Sequence, residues 1–220
     1  MRDYFRDRED AGARLATMLR VHADQPDTLV LALPRGGVPV AAVIARELHA
    51  PLDVFLVRKI GVPGYEELAA GAIADGGVRV LNEDVIQAYN IPRHTIDEIV
   101  LREEREIARQ HNLYRANRPI PDIAAKTIIL VDDGVATGST VIAAARALRL
   151  AGPARIIIAV PVAGRDVAGL LRTEVESVVC AIETDSLDGV SMWYEDFRQV
   201  SDEEVRRLLA MDFNRTGEDE

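Results

Sequence analysis

Two adjacent carboxylates, Asp132 and Asp133, follow the apolar run Ile128-Ile129-Leu130-Val131, and a turn of small residues, Gly134-Val135-Ala136-Thr137-Gly138, leads from them into Ser139 and Thr140. A buried strand would end at the acids, and the amides that open the next helix have no intrahelical partner. Those N–H groups, the positive helix end and the hydroxyls of Thr137, Ser139 and Thr140 together suit a phosphate. Gly134 and Gly138 let the backbone close around the anion. An acidic pair facing that phosphate would repel it, so the carboxylates are better used accepting hydrogen bonds from the vicinal hydroxyls of a sugar. With the phosphate one sugar-length away, the arrangement suits a ribose 5-phosphate. The run lacks the lysine and the glycine spacing of a Walker A loop, and it is not GxGxxG.

Two more segments carry charge of the right kind. In Pro34-Arg35-Gly36-Gly37 two glycines ahead of a helix expose consecutive amides and Arg35 adds a fixed cation, which makes a second anion site. A plain tight turn is the competing reading. Arg58 and Lys59 then leave a strand together and enter a stretch broken by Gly61, Pro63 and Gly64. Cations that close over a diphosphate leaving group count for more in the transition state than in the ground state, and this segment is expected to be flexible enough to act as a lid. A solvated charge pair is the alternative.

The elements that must position these residues follow from hydrophobic patterning. Apolar runs of strand length occupy Thr28 to Leu33, Leu52 to Val57, Thr127 to Val131, Arg155 to Val162 and Val175 to Ala181. Helical patterns lie between them at Val38 to Leu48, Asp97 to Arg115, Ser139 to Leu150 and about Asp166 to Arg172. Ala69 to Ala74 and Val78 to Leu81 flank Asp75-Gly76-Gly77, a hairpin signal. Arg58 to Glu67 reads as a loop, as does Met192 to Phe197. A last helix is expected to be capped by Ser201 with Glu204 at the capping-box position, and Gly217 to Glu220 to be frayed. Continuous apolar strands separated by helices indicate a doubly wound α/β fold, a mainly parallel sheet flanked by helices, with ligands at the carboxyl ends of the strands.

Composition narrows the function classes. Of 220 residues, 26 are basic and 36 acidic, and the resulting formal charge of −10 disfavours nucleic acid and anionic membrane as partners. No apolar run approaches the roughly 18 residues of a membrane span. The charged N-terminus has no signal core, and the single cysteine, Cys180, cannot pair internally, so a cytoplasmic location is expected. Cys180 reads as a small buried hydrophobe, and His22, His49, His94 and His111 are too scattered for metal-ligand spacing.

With its apolar strand, the segment Asp132 to Thr140 resembles the 5-phosphoribosyl 1-diphosphate (PRPP) binding motif of the type I phosphoribosyltransferases. The flanking pattern extends the resemblance over roughly residues 25–182. It implies a single domain across residues 1–220 with a small hood at about 183–220. Asp132 and Asp133 would meet the ribose hydroxyls, one of them also stabilising positive charge at the anomeric centre. Ala136, Thr137, Gly138, Ser139 and Thr140 would hold the 5′-phosphate. The equivalent of the Arg35-Gly36-Gly37 loop binds diphosphate in the family, often through a cis peptide. The stretch around Arg58 and Lys59 is similar to the mobile catalytic loop of the adenine-type members. Mg2+ is expected, held mainly through PRPP oxygens without a dedicated protein site.

Trp193, Tyr194 and Phe197 are the candidates for an acceptor-stacking surface in the hood, although an anchor for the last helix explains them equally well. No purine- or orotate-type signature stands beside them. The expected activity is transfer of ribose 5-phosphate from PRPP to a nitrogenous acceptor, such as a nucleobase, with release of diphosphate. The rivals are a non-catalytic PRPP or nucleotide sensor and a PRPP-using enzyme of another reaction type. A homodimer is a fair expectation for such an enzyme.

Overall fold

The computed structural model describes residues 4–115 and 119–216. The chain opens with α1 (Arg8–Met18), β1 (Thr28–Ala32), α2 (Gly37–Leu48) and β2 (Leu52–Val54). It then leaves the main sheet for β3 (Val57–Val62), β4 (Tyr65–Ala74) and β5 (Val78–Leu81), followed by α3 (Glu83–Ala88) and α4 (Arg93–Arg115). The second half runs β6 (Thr127–Val131), α5 (Ser139–Leu150), β7 (Arg155–Gly164), α6 (Arg165–Glu174), β8 (Ser177–Thr184) and α7 (Asp202–Thr216).

Five strands form a parallel sheet in the order β2-β1-β6-β7-β8, the doubly wound arrangement expected from their apolar runs. Side-chain alternation divides the core in two. Val30, Ala32, Ile129, Val131, Ile157 and Ala159 face one side, covered by α1, α2 and α7, and α4 continues the same core over the hairpin sheet. Leu29, Leu31, Ile128, Leu130, Ile156 and Ile158 face the other, under α5 and α6. Each fully buried aliphatic side chain contributes about 1.5–3 kcal/mol, so strands buried on both faces anchor the loops at their ends firmly. Among the described residues no helix is long and apolar enough to cross a membrane.

The stretch Arg58 to Glu67, expected to be a loop, is instead most of a β-hairpin. Val57–Val62 pairs antiparallel with β4 around Pro63 and Gly64, and Gly64 takes a left-handed φ of +79°. Ile60 and Val62 are buried on one face of β3, a period-2 pattern that the neighbouring cations and glycines obscure. The register slips at Gly61, where a glycine tolerates the irregularity. The single strand expected over Leu52 to Val57 is accordingly two, with the chain changing sheets at Phe55 and Leu56. The hairpin of β4 and β5 around Asp75-Gly76-Gly77 is present as expected, with Ala74 opposite Val78.

Helices α1 and α3 lie outside the sequence expectations, and α4 starts at Arg93, four residues early. Asp7 caps α1 by accepting from the Asp10 amide at 2.8 Å, and the helix packs its Leu15 and Ala16 into the core beside α2. Ser201 caps α7 as expected, its hydroxyl accepting from the Glu204 amide at 3.1 Å. Residues Gly217 to Glu220 lie outside the described residues.

Candidate active site

Strands β1 and β6 are neighbours, but β1 continues into α2 on one face of the sheet and β6 into α5 on the other. The crevice between their carboxyl ends is therefore the topological switch point, where ligands of such sheets bind. Both predicted anion loops open onto it. Their backbones touch: a Cβ on Gly37 would lie 2.6 Å from the Val131 carbonyl oxygen, and one on Gly36 would lie 2.5 Å from Cγ of Asp133. Glycine at both positions is what allows the first loop to lie on the end of β6. The Pro34–Arg35 peptide is cis.

The acidic pair emerges from β6 half-buried. The Asp133 amide donates to Asp132 Oδ1 at 2.9 Å, which turns the first carboxylate back onto the loop backbone. Burial pushes the Asp132 carboxyl well above the usual carboxylate range, and the neighbouring Asp133 charge pushes it further. Burial also raises Asp133, against the downward pull of the Arg8 guanidinium. That arginine escaped the sequence reading. Its Nε and Nη2 donate to Asp133 Oδ2 at 2.9 and 2.7 Å.

Beyond the acids, Val135 is buried and its amide donates to the Val162 carbonyl at 2.9 Å, tying the turn to β7. Gly138 then starts α5 in a left-handed conformation, φ +78°, and no side chain caps the helix. Ala136, Thr137 and Thr140 are exposed around that start, and the Thr137 and Ser139 hydroxyls lie 3.1 Å apart. Positive helix end, small residues and exposed hydroxyls thus meet at one point.

The expected diphosphate cations are separated by the pleat of β3. Arg58 lies on the face that carries Ile60, and its Nε donates to Glu103 Oε2 of α4 at 2.8 Å. Lys59 lies on the opposite face with Val57, which packs against the cluster under α5. Arg35 sits across the crevice, with Nη1 3.7 Å from Asp202 Oδ1 at the start of α7. Asp202 also accepts from the Tyr114 hydroxyl at 2.5 Å, and burial, then this carboxylate, raises that phenol above its ordinary range.

The aromatic candidates fall into different environments. Tyr194 is buried against Phe5 and Phe197, with ring centroids 5.3 and 4.9 Å away, and its hydroxyl donates to the Asp133 carbonyl at 2.6 Å. Phe197 is half-buried and carries the Arg8 guanidinium 3.9 Å above its ring. Trp193, also half-buried, uses its carbonyl to accept from the Phe5 amide at 2.8 Å. Residues near both ends of the described chain therefore meet beside the acidic pair. No local sequence signal gives that meeting. The Asp7 cap predicts where α1 starts, but only tertiary packing brings Arg8 to Asp133.

Elsewhere, Cys180 is half-buried on β8, with its thiol pushed up to about 11 by burial. Among the described residues no three His, Cys, Asp or Glu side chains form a group that could hold a metal ion.

A family model described as the phosphoribosyl transferase domain matches residues 5–190. Two Mycobacterium tuberculosis proteins, each named "Putative phosphoribosyl transferase", are 39% identical over 205 residues, which is 93% of this chain and 46% of theirs. The chain thus spans about half the length of the curated relatives it matches. The crystal structure of TT1426 from Thermus thermophilus superposes with a TM-score of 0.85 at 38% identity, over 94% of this chain and 98% of that one. The parallel sheet with its switch-point crevice and the match over most of the chain agree, and the chain belongs to the phosphoribosyl transferase domain family.

Proposed function

We propose that the protein transfers ribose 5-phosphate from PRPP to a nitrogenous acceptor and releases diphosphate. The observation that carries this reading is the direct packing of Gly36 on Asp133, which joins the two anion loops into one crevice. The 5′-phosphate lies at the start of α5 on Ala136, Thr137, Gly138, Ser139 and Thr140. Asp132 and Asp133 accept hydrogen bonds from the ribose hydroxyls. The diphosphate lies against the backbone at Gly36 and Gly37, with Arg35 turning from Asp202 to meet it.

In the reaction the C1–O bond breaks and its electron pair leaves with diphosphate, while the acceptor nitrogen forms the new C1–N bond and loses its proton. Carboxylates beside C1 stabilise the positive charge that develops on the sugar, and cations stabilise the departing oxyanion. Lys59 acts on that oxyanion from the β3–β4 hairpin, and Arg58, on the opposite face of β3, joins it only if the strand turns and its contact with Glu103 is exchanged. Mg2+ would be held mainly through PRPP oxygens, with the acidic pair beside it, and would supply positive charge to offset that of the departing diphosphate. The acceptor enters beside Phe197, which lines a cleft of about 360 Å3 with Arg35, Gly36 and Asp133. The contacts of Tyr194 favour an anchoring role for it over base stacking.

One observation supports the sensor as a second reading: Arg35 and Arg58 are both engaged by carboxylates of the protein itself. Calorimetry with PRPP and magnesium, followed by diphosphate release across a panel of nitrogenous acceptors, separates the two. Acceptor-dependent release, reduced more than about tenfold by Lys59→Ala without loss of fold, is the expected result. Tight binding with no release across the panel would favour the sensor, and no uptake of PRPP would overturn both.

A further inference from the structure

We infer that Arg8 is a positioning residue for the sugar-binding carboxylate: from the N-terminal helix it holds Asp133 by Oδ2 and leaves Oδ1 as the acceptor for a ribose hydroxyl. This rests on the reading of the acidic pair proposed above. The geometry is over-determined. Two guanidinium nitrogens converge on one carboxylate oxygen, at 2.9 and 2.7 Å, while Nη1 donates to the Arg198 carbonyl at 2.8 Å. The guanidinium plane has the Phe197 ring 3.9 Å from its carbon. The side chains of Arg8 and Asp133 are only 11% and 16% exposed, so water competes little with the pair.

Gly36 packs against the same carboxylate, nearest to the Oδ2 that Arg8 holds, and leaves no room for a Cβ there. Both Arg8 bonds fall on Oδ2 and neither occupies Oδ1, and Asp133 lines the crevice together with Arg35 and Phe197. A carboxylate gripped by a single oxygen in this way is a fixed acceptor aimed by its partner. A mobile one would bind the same hydroxyl only after losing its own rotamer freedom.

The arginine also sets the charge of the acceptor. The charged and titratable groups around Asp133 are Asp132 beside it, Arg8 from α1, Arg35 across the crevice and the Tyr194 phenol, which donates to its backbone carbonyl. Without Arg8 two half-buried acids stand together, and among the described residues lining the crevice only Arg35, itself turned toward Asp202, carries positive charge. Asp133 then holds a proton to higher pH, and a protonated carboxyl is a poorer acceptor for a sugar hydroxyl. Binding must be lost as pH falls through that raised pKa and recovered above it.

The test is the affinity for PRPP with magnesium, measured by calorimetry from about pH 5.5 to about pH 8.5 in the unaltered protein and in Arg8→Met. The expected result is a loss of at least about tenfold at the acidic end that shrinks toward the alkaline end, partly restored by Arg8→Lys, which keeps a cation. On an Asp133→Asn background Arg8→Met should remove nothing further, because the carboxylate it serves is gone. A merely structural role would weaken binding equally at every pH and add to the Asp133→Asn effect, and either outcome would overturn the inference while leaving the PRPP reading in place. Should Arg8→Met not fold, Arg8→Lys on both backgrounds answers the same question. Failure of the unaltered protein to take up PRPP would instead strike the reading beneath it.

Discussion

Alanine at Gly36 is the sharpest perturbation of the crevice. The backbone there has φ −61° and ψ −35°, open to any residue, so the substitution introduces no backbone strain. The new methyl would stand 2.5 Å from Asp133 Cγ and closer still to Oδ2, the oxygen that Arg8 holds, whereas ordinary contact begins near 3.4 Å. The carboxylate must therefore retreat by at least about 1 Å, which carries its hydrogen bonds from Arg8 beyond bonding range. Hydrogen bonds to charged groups contribute about 1.5–3 kcal/mol, and partial repair elsewhere leaves an expected stability loss of about 2 kcal/mol. A misplacement of about 1 Å at a binding carboxylate is expected to lower productive PRPP turnover about 100-fold. Thermal denaturation and the diphosphate-release assay read the two effects separately. Gly169→Ala in α6 is the control, because a methyl there meets nothing within 4 Å. It should gain up to about 1 kcal/mol of helix propensity and leave turnover alone. Turnover of Gly36→Ala within twofold of the unaltered protein would refute the reasoning that the two loops form one site.

Two further outcomes follow from buried charge. Arg115, at the end of α4, is 1% exposed and donates to Asp53 at 3.1 and 3.2 Å, to Asp75 and to the Val54 carbonyl at 2.6 Å, clamping the hairpin sheet to β2. Arg115→Met should cost about 3–5 kcal/mol in denaturant unfolding, because it strands buried carboxylates, and a cost below about 1 kcal/mol would show that they find other partners. Asp132 has a carboxyl raised in the folded state, so the folded protein holds more protons than the unfolded chain above the unfolded value of about 3.9, and stability falls as pH rises through that window. Asp132→Asn should consequently unfold at higher temperature than the parent at neutral pH, with the gain vanishing below about pH 4, while PRPP binding is lost; a lower melting temperature at neutral pH would contradict the assignment.

How far the sequence could be read depended on whether the signal was local. The strand at Thr127 to Val131 is apolar from Ile128 onward because that part is buried on both faces, and α5 matches its expected bounds because Gly138 and Gly152, both at positive φ, mark its ends. The hairpin at Val57 was hidden for a physical reason. One face of β3 meets α4 and the other meets α5, so Arg58 and Lys59 occupy opposite environments although they adjoin in the chain. Side-by-side cations with nearby glycines read as a loop, and only the pairing of β3 with β4 resolves them into a strand. Helix α1 was missed because its buried residues, Ala11, Gly12, Leu15 and Ala16, are mostly small and leave a weak apolar stripe.

The same division separates the site's acids from their counter-charges. Asp132 and Asp133 are legible because strand, turn and helix start follow one another within thirteen residues from Ile128 to Thr140. Their compensation comes from far along the chain: Arg8 reaches across 125 positions, and Asp202, which engages Arg35, begins the last helix. Two neighbouring acids in a half-buried crevice would otherwise share protons, which on the proposed reading would weaken them as hydroxyl acceptors. The segments near residues 5 and 194, bridged to each other beside Asp133, are therefore part of what makes the local motif usable. A motif of this kind in a chain lacking the N-terminal arginine should bind a sugar diol over a narrower and more alkaline range, because its acceptor has to lose a proton unaided.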